Sequence, residues 1–176
     1  MCSILSAADF SCTPDFLSMQ EMNASMKSRG PDDSGIICDK NVCLAHNRLA
    51  VMDPDNGHQP MRINHGGRYY SIIYNGEVYN VPELKEELAQ SGISLSTSCD
   101  TEAVLYSYVV YGEDCPAHLN GIFAFIIYDE SEKKLFMARD RLGVKPFFYT
   151  QVGTTLLCAS EVKALLADKR VQPILD

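Results

Sequence analysis

The chain has 176 residues, 46% of them apolar and 22% charged, with a formal net charge of −8, which suits one globular domain with an ordinary core. The acidic balance offers no basic field to attract nucleic acid, so no nucleic-acid partner is expected. The first residues lack a basic region and a long apolar stretch, and the most apolar run, 122–128, is far short of the ~20 residues that span a bilayer, so a cytoplasmic protein with no membrane partner is expected.

Residues 2–8 read as a short strand. Thr13 is placed to cap a helix with Pro14 at its first position, and Phe16, Met19, Met22 and Met26 recur at the spacing of a core-facing helix stripe. The stretch from Arg29 to Asp33, with Gly30 and Pro31, ends that helix in a loop. Residues 36–38 and 42–49 read as a strand pair around the polar turn at Asp39, Lys40 and Asn41, and a loop follows over 53–60. Residues 69–74 are strand-like and are expected to stop at Asn75-Gly76, a strong turn signal. Residues 82–90 and 100–111 read as helices, ended by Gly92 and Gly112. Four strands are expected at 122–128, 134–138, 147–149 and 155–158, the first without alternation and hence buried on both faces. A short helix over 161–167 closes the domain. Late strands that follow one another as meanders favour antiparallel sheets with helices packed outside them.

Seven cysteines stand at 2, 12, 38, 43, 99, 115 and 158, with no Cys-x-x-Cys and no histidine at metal-site spacing. They are expected to be reduced and mostly buried, with no disulfide framework, no metal and no cofactor.

Cys2 can carry chemistry of its own. A thiol needs a nearby base to become a nucleophile. Removal of Met1 would give Cys2 a free α-amine, with an unperturbed pKa of about 7.7 to 8.0, so one residue would supply both nucleophile and base. Taken alone, an early cysteine is more often incidental.

The wider set of motifs changes that balance. In order they are Cys2-Ser-Ile, Arg29-Gly-Pro-Asp-Asp-Ser-Gly35, Leu44-Ala-His-Asn-Arg-Leu49, Gly57-His-Gln-Pro-Met61, Asn75-Gly-Glu-Val-Tyr-Asn80, Asp100-Thr-Glu102, Asn120-Gly-Ile-Phe-Ala-Phe125, Arg139-Asp-Arg-Leu-Gly-Val-Lys-Pro-Phe-Phe-Tyr149 and Ser160-Glu-Val-Lys-Ala-Leu165. Each is weak alone. The ordered series resembles the N-terminal glutaminase domain of class II glutamine amidotransferases, nearest to the glutamine-dependent asparagine synthetase branch, over essentially the whole chain.

The resemblance implies an α+β fold of the N-terminal-nucleophile hydrolase type, a four-layer αββα sandwich of two antiparallel sheets between helical layers. It implies one glutaminase domain over residues 1–176 that splits L-glutamine into glutamate and ammonia. The ammonia would pass to a synthetase domain or subunit, whose pyrophosphatase-type Ser-Gly-Gly-x-Asp-Ser loop does not occur in these residues; a homo-oligomer is compatible with this.

Carried over by position, Cys2 would form the γ-glutamyl thioester, with Asn75 and Gly76 as side-chain and backbone donors of an oxyanion hole. Arg48 would grip the substrate α-carboxylate as a bidentate fork, and Asp100, supported by Glu77, the α-ammonium. Each position has a plainer reading: Asn75-Gly76 as a hairpin turn, Arg48 as an exposed strand arginine, and Asp100 as a helix N-cap. Arg29, Asp32 and Asp33 read as braces for the loop near Cys2, His46 and His58 as structural, and Arg139, Asp140, Arg141 and Lys145 as a charged turn locking the sheet end.

Several positions depart from the family pattern. Ser3 and Ser6 stand where glycines are usual, Ser28 replaces a histidine, Asn47 an arginine and Cys99 a serine. Two other functions fit the same residues: a silent relative that binds glutamine or a partner without turnover, and an N-terminal-nucleophile amidase for another amide.

Overall fold

The computed structural model describes residues 1–51, 53 and 55–173. In chain order the elements are β1 (Ser3–Ala8), α1 (Phe16–Ala24), β2 (Asp33–Cys38), β3 (Val42–Arg48), β4 (Met61–His65), β5 (Arg68–Val78), α2 (Val81–Gln90), α3 (Asp100–Tyr111), β6 (Gly121–Asp129), β7 (Lys134–Arg139), β8 (Phe148–Val152), β9 (Thr155–Ala159) and α4 (Val162–Ala167). The strands form a five-stranded sheet in the order β2-β3-β1-β9-β8 and a four-stranded sheet in the order β4-β5-β6-β7. Every pairing in both is antiparallel.

The layers follow from which side chains each strand sends to which face. Ile4, Ala8, Val42 and Leu44 of the first sheet meet Ile73, Ala124 and Ile126 of the second in an apolar layer between the sheets. The opposite face of the first sheet (Leu5, Ala7, Cys43, Ala45) packs on Met19, Met22 and Met26 of the α1 region and on Ala164 and Leu165 of α4. The opposite face of the second (Ile72, Tyr74, Phe123, Phe125, Ile127) packs on Leu84 of α2 and on Ala103, Val104, Leu105 and Tyr108 of α3. The result is the expected αββα sandwich. Among the described residues no helix is long and apolar enough to cross a membrane.

Some local expectations fail for identifiable reasons. The cap of α1 is Asp15, whose carboxylate accepts from Leu17 N and Ser18 N at 3.2 Å each, so the helix starts later than Thr13-Pro14 suggests and Phe16 stays exposed. The Asn75-Gly76 pair makes no turn. β5 runs straight through it, with Asn75 opposite Ala124 and Gly76 opposite Phe123. An unbroken apolar partner, β6, offers a continuous ladder that outweighs the local turn preference. Gly76 is needed for space: a Cβ there would stand 2.6 Å from Ile122 O and 2.8 Å from Phe123 Cβ. The expectation of reduced cysteines fails at Cys38 and Cys43, which are directly opposed across β2 and β3 and joined as a disulfide. Cys2, Cys12, Cys99, Cys115 and Cys158 are free thiols. β4 and a 3-10 segment over Gly112–His118 add to the elements expected from the sequence.

Candidate functional site

β1 and β3 lie side by side in the first sheet, and β5 faces them from the second. Cys2 at the head of β1, Arg48 at the end of β3 and Asn75 in β5 therefore reach the same end of the sandwich. There they line a cleft of about 250 Å³, together with Leu49, Gly57, Gln59, Tyr74, Gly76, Glu77, Asp100 and Lys145. The structure thus brings all six candidate residues, Cys2, Arg48, Asn75, Gly76, Glu77 and Asp100, to one cavity.

Cys2 is pinned from two sides. Arg29 Nε donates to Cys2 O at 3.0 Å, while Arg29 Nη1 donates to Glu161 at 3.1 Å. Asp32 Oδ2 accepts from Ala50 N at 2.8 Å and Asp33 pairs with His58 at 2.7 Å, so the Arg29 to Asp33 segment braces the loop beside Cys2 as its sequence suggests. The Cys2 Sγ lies against Leu49, accepting from its N–H at 3.4 Å. Burial pushes the thiol up from its ordinary value, while the Leu49 N–H, the terminal ammonium and Arg48 pull it down. Left to itself the sulfur stays protonated near neutrality, so it needs a base.

Asn75 is 2% exposed and its Nδ2 has no hydrogen-bond partner. Buried polar groups are ordinarily paired, and an orphaned donor in a cleft lined also by Cys2 marks a place where an acceptor oxygen can sit. The plain hairpin-turn reading of Asn75-Gly76 is excluded by the strand.

Arg48 is 5% exposed, not a solvated strand arginine, and its Nη2 donates to Asp53 O at 2.7 Å. Gly57 packs on the guanidinium: a Cβ there would lie 2.2 Å from Arg48 Nη2. Asp100 is the first residue of α3, and the N-cap is Cys99, whose side chain makes no capping bond. The N-cap reading of Asp100 is thereby corrected. Its Oδ2 accepts from Tyr74 OH at 2.7 Å and Val78 N at 3.3 Å. Burial pushes the carboxyl up, and those bonds together with the first-turn N–H groups pull it down. Glu77 is exposed at the rim. Among the described residues the cleft carries two cations, Arg48 and Lys145, and two carboxylates, Glu77 and Asp100; the buried Arg48 opposite the carboxylates is the charge pattern that complements a free amino acid.

Two site residues escape a reading of the sequence. Gln59 Oε1 accepts from Tyr74 N at 2.6 Å and its Nε2 donates to Thr101 Oγ1 at 3.3 Å, so a side chain continues the β5 ladder beyond Met61, where β4 begins. Gln59 lies in a recognised motif, but nothing in its spacing assigns it this work. Tyr74, the residue before Asn75, reads as core and also holds Asp100.

His46 is fully buried and joins the two sheets through Nε2 and Tyr74 O at 3.0 Å; burial lowers its pKa to about 4. The charged turn after β7 is closed by Asp140, which accepts from Phe123 N, Val144 N and Lys145 N, and by Arg139, which donates to Lys145 O. Two of the departures compensate one another. Ser3 and Asn47 are opposed in register, and Asn47 Nδ2 donates to Ser3 Oγ at 3.0 Å.

The whole chain, residues 1–176, matches the family model described as the glutamine amidotransferase domain. It is 46% identical over 178 residues to glutamine-hydrolysing asparagine synthetase 3 of Bacillus subtilis, covering 100% of this chain and 29% of that protein. It is 39% identical over 170 residues to putative glutamine-hydrolysing asparagine synthetase 2 of Methanocaldococcus jannaschii, covering 87% of this chain and 32% of that protein. The chain therefore spans about a third of the length of these relatives. The structure of glutamine phosphoribosylpyrophosphate amidotransferase from Bacillus subtilis superposes with a TM-score of 0.81 at 19% identity, covering 94% of this chain and 43% of that one. At that identity the likeness concerns the fold.

Proposed function

The chain belongs to the glutamine amidotransferase domain family, and on that premise we propose that it hydrolyses L-glutamine to glutamate and ammonia through a Cys2 γ-glutamyl thioester. With Met1 removed, the Cys2 α-amine takes the thiol proton and Sγ attacks the substrate Cδ. Charge develops on the amide oxygen, which meets Asn75 Nδ2 and the Gly76 N–H. A preorganised donor of this kind contributes about 3 to 4 kcal/mol to the barrier reduction. The ammonium form of the amine then protonates the leaving nitrogen, ammonia departs, and water releases glutamate from the thioester. Arg48 holds the α-carboxylate, and Asp100 with Glu77 the α-ammonium.

The observation that carries this reading is the unpartnered Asn75 Nδ2, buried in the cleft that Cys2 lines. The 176 residues form a single glutaminase domain, and the ammonia passes to a synthetase domain or subunit. Asparagine synthetase relatives support that transfer, as does their greater length. The proposed setting is cytoplasmic, supported by the likeness to asparagine synthetases.

A silent glutamine-binding relative is favoured by one feature. Met1 itself lines the cleft, with Lys145 Nζ 3.8 Å from its Sδ, and a retained Met1 blocks the amine. The test is glutamate release from L-glutamine by the purified chain, with Met1 removal checked by intact mass and Cys2→Ala as control. Release by the parent alone establishes the activity. No release from chains lacking Met1 overturns it.

A further inference from the structure

Asp53 adopts φ 43°, in the left-handed region that non-glycine residues rarely occupy. Such conformations persist where the surroundings over-determine them, and here they do. The Asp53 carbonyl accepts from Arg48 Nη2 at 2.7 Å and from Gly57 N at 3.0 Å. Its carboxylate bonds both its own loop and the segment before α3: Oδ1 accepts from Asn56 N at 3.2 Å and Asn56 Nδ2 at 2.9 Å, and Oδ2 from Ser98 N and Ser98 Oγ at 2.9 Å each. The Ser98 segment is itself fixed, because the Glu102 carboxylate accepts from Ser96 N, Ser96 Oγ, Thr97 N and Thr97 Oγ1 at distances between 2.7 and 3.0 Å. Ser98 stands two residues before Asp100.

We infer that Asp53 is a positioning residue that sets the site's selectivity for a free α-amino acid, by tying the Arg48 guanidinium to the segment that presents Asp100. This rests on the glutaminase reading above. The α-carboxylate and α-ammonium of an amino acid are separated by a single carbon, so the two grips must keep a fixed spacing to hold both. The chain brings them from distant segments, the end of β3 and the start of α3. The bridge from Arg48 through the Asp53 carbonyl, and from the Asp53 carboxylate to Ser98, is what fixes their separation. The substrate class that follows is an L-amino acid amide with both α groups free. Amides that lack the α-carboxylate gain nothing from the bridge.

The test compares Asp53→Ala, Asp53→Asn and Asp53→Gly in the full chain with Met1 removed. Asp53→Ala is expected to raise KM for L-glutamine about tenfold or more while kcat stays within about twofold, the pattern of lost ground-state and transition-state binding alike. Asn tolerates the left-handed backbone and keeps an acceptor oxygen, so Asp53→Asn should return KM to within about threefold of the parent. Asp53→Gly permits the backbone but has no carboxylate, and should resemble Asp53→Ala. Inhibition by 4-aminobutanamide, which is glutamine without its α-carboxylate, should be the same for Asp53→Ala and the parent. The inference is overturned if Asp53→Ala leaves KM within twofold, if Asp53→Gly restores it, or if inhibition by 4-aminobutanamide weakens as much as glutamine binding. Calorimetric binding of L-glutamine in a Cys2→Ala background separates the two readings. A parent background that binds no glutamine sinks the glutaminase reading. One that binds it equally with and without Asp53→Ala sinks only the bridge.

Discussion

Two asparagines, both essentially out of solvent, are treated in opposite ways. Asn47, 1% exposed, spends its side chain fully: Nδ2 donates to Ser3 Oγ, Asn23 O and Asn23 Oδ1, and Oδ1 accepts from Ser34 Oγ. Asn75, 2% exposed on the facing sheet, keeps Nδ2 unpaired. A buried donor without a partner costs about 1 to 3 kcal/mol. The satisfied amide knits α1, β1, β2 and β3 together, and the unsatisfied one is free to meet the ligand oxygen of the proposed mechanism. The difference is between an amide the fold uses completely and one that the proposed mechanism would use.

The largest expected effect breaks that contrast at the functional end. Asn75→Ala should lower kcat for glutamine hydrolysis by about 10²- to 10³-fold while changing folding stability by no more than about 1 kcal/mol, since Nδ2 bonds nothing in the resting fold. Steady-state kinetics and chemical denaturation of the same preparation read both numbers. A kcat within threefold of the parent would remove Asn75 from the oxyanion hole.

Asn47→Ala is the mirror experiment. It should cost about 3 kcal/mol, because several buried partners lose their bonds at once, a drop in Tm on the order of 10 °C. Activity of the folded fraction should change by no more than a few-fold. A scanning calorimeter decides it, and an unshifted Tm would mean that the network contributes nothing.

His46 sits between the two cases, with Nε2 bonded to Tyr74 O and Nδ1 unpartnered. Its pKa is lowered from 6.5 to about 4 by burial, so between those values the unfolded chain binds a proton that the native state refuses. Stability from this group is therefore complete above pH 6.5 and falls as pH drops, by about 3 kcal/mol at pH 4. Asp100, whose carboxyl is pushed up, acts in the opposite sense. The His46 contribution is accordingly the difference between the parent and His46→Gln, measured by denaturation from pH 7 to pH 4. Parallel curves for the two proteins would refute it.

Most of the fold was legible because its signals are collective. The apolar run in β6, the α1 methionines and the antiparallel meanders each draw on many residues, and no single substitution could mislead them. The failures came where one residue pair was asked to decide. Asn75-Gly76 has the composition of a turn, but its flanking strand finds a partner over its whole length, and Gly76 answers to Ile122 and Phe123 rather than to its own φ. Asp15 took the cap from Thr13 because its carboxylate reaches two N–H groups. The Cys38–Cys43 bond depends on a cross-strand register that spacing alone does not give. In the site, residues with a proposed chemical role could be carried over by motif, and the structure gathers them in one cleft. Gln59, Tyr74 and Asp53 could not, because what they do is defined by which neighbours they hold.

The grip of Arg29 on Cys2 O has a practical corollary. Chain ends commonly fray, yet here the backbone is held from its second residue onward and the cleft opens directly in front of it. Whatever precedes Cys2 is thereby steered into the cleft, as Met1 is, and so into the proposed substrate's space. An amino-terminal affinity tag would behave as a tethered inhibitor, and a fusion at that end should be designed to be cut flush with the cysteine.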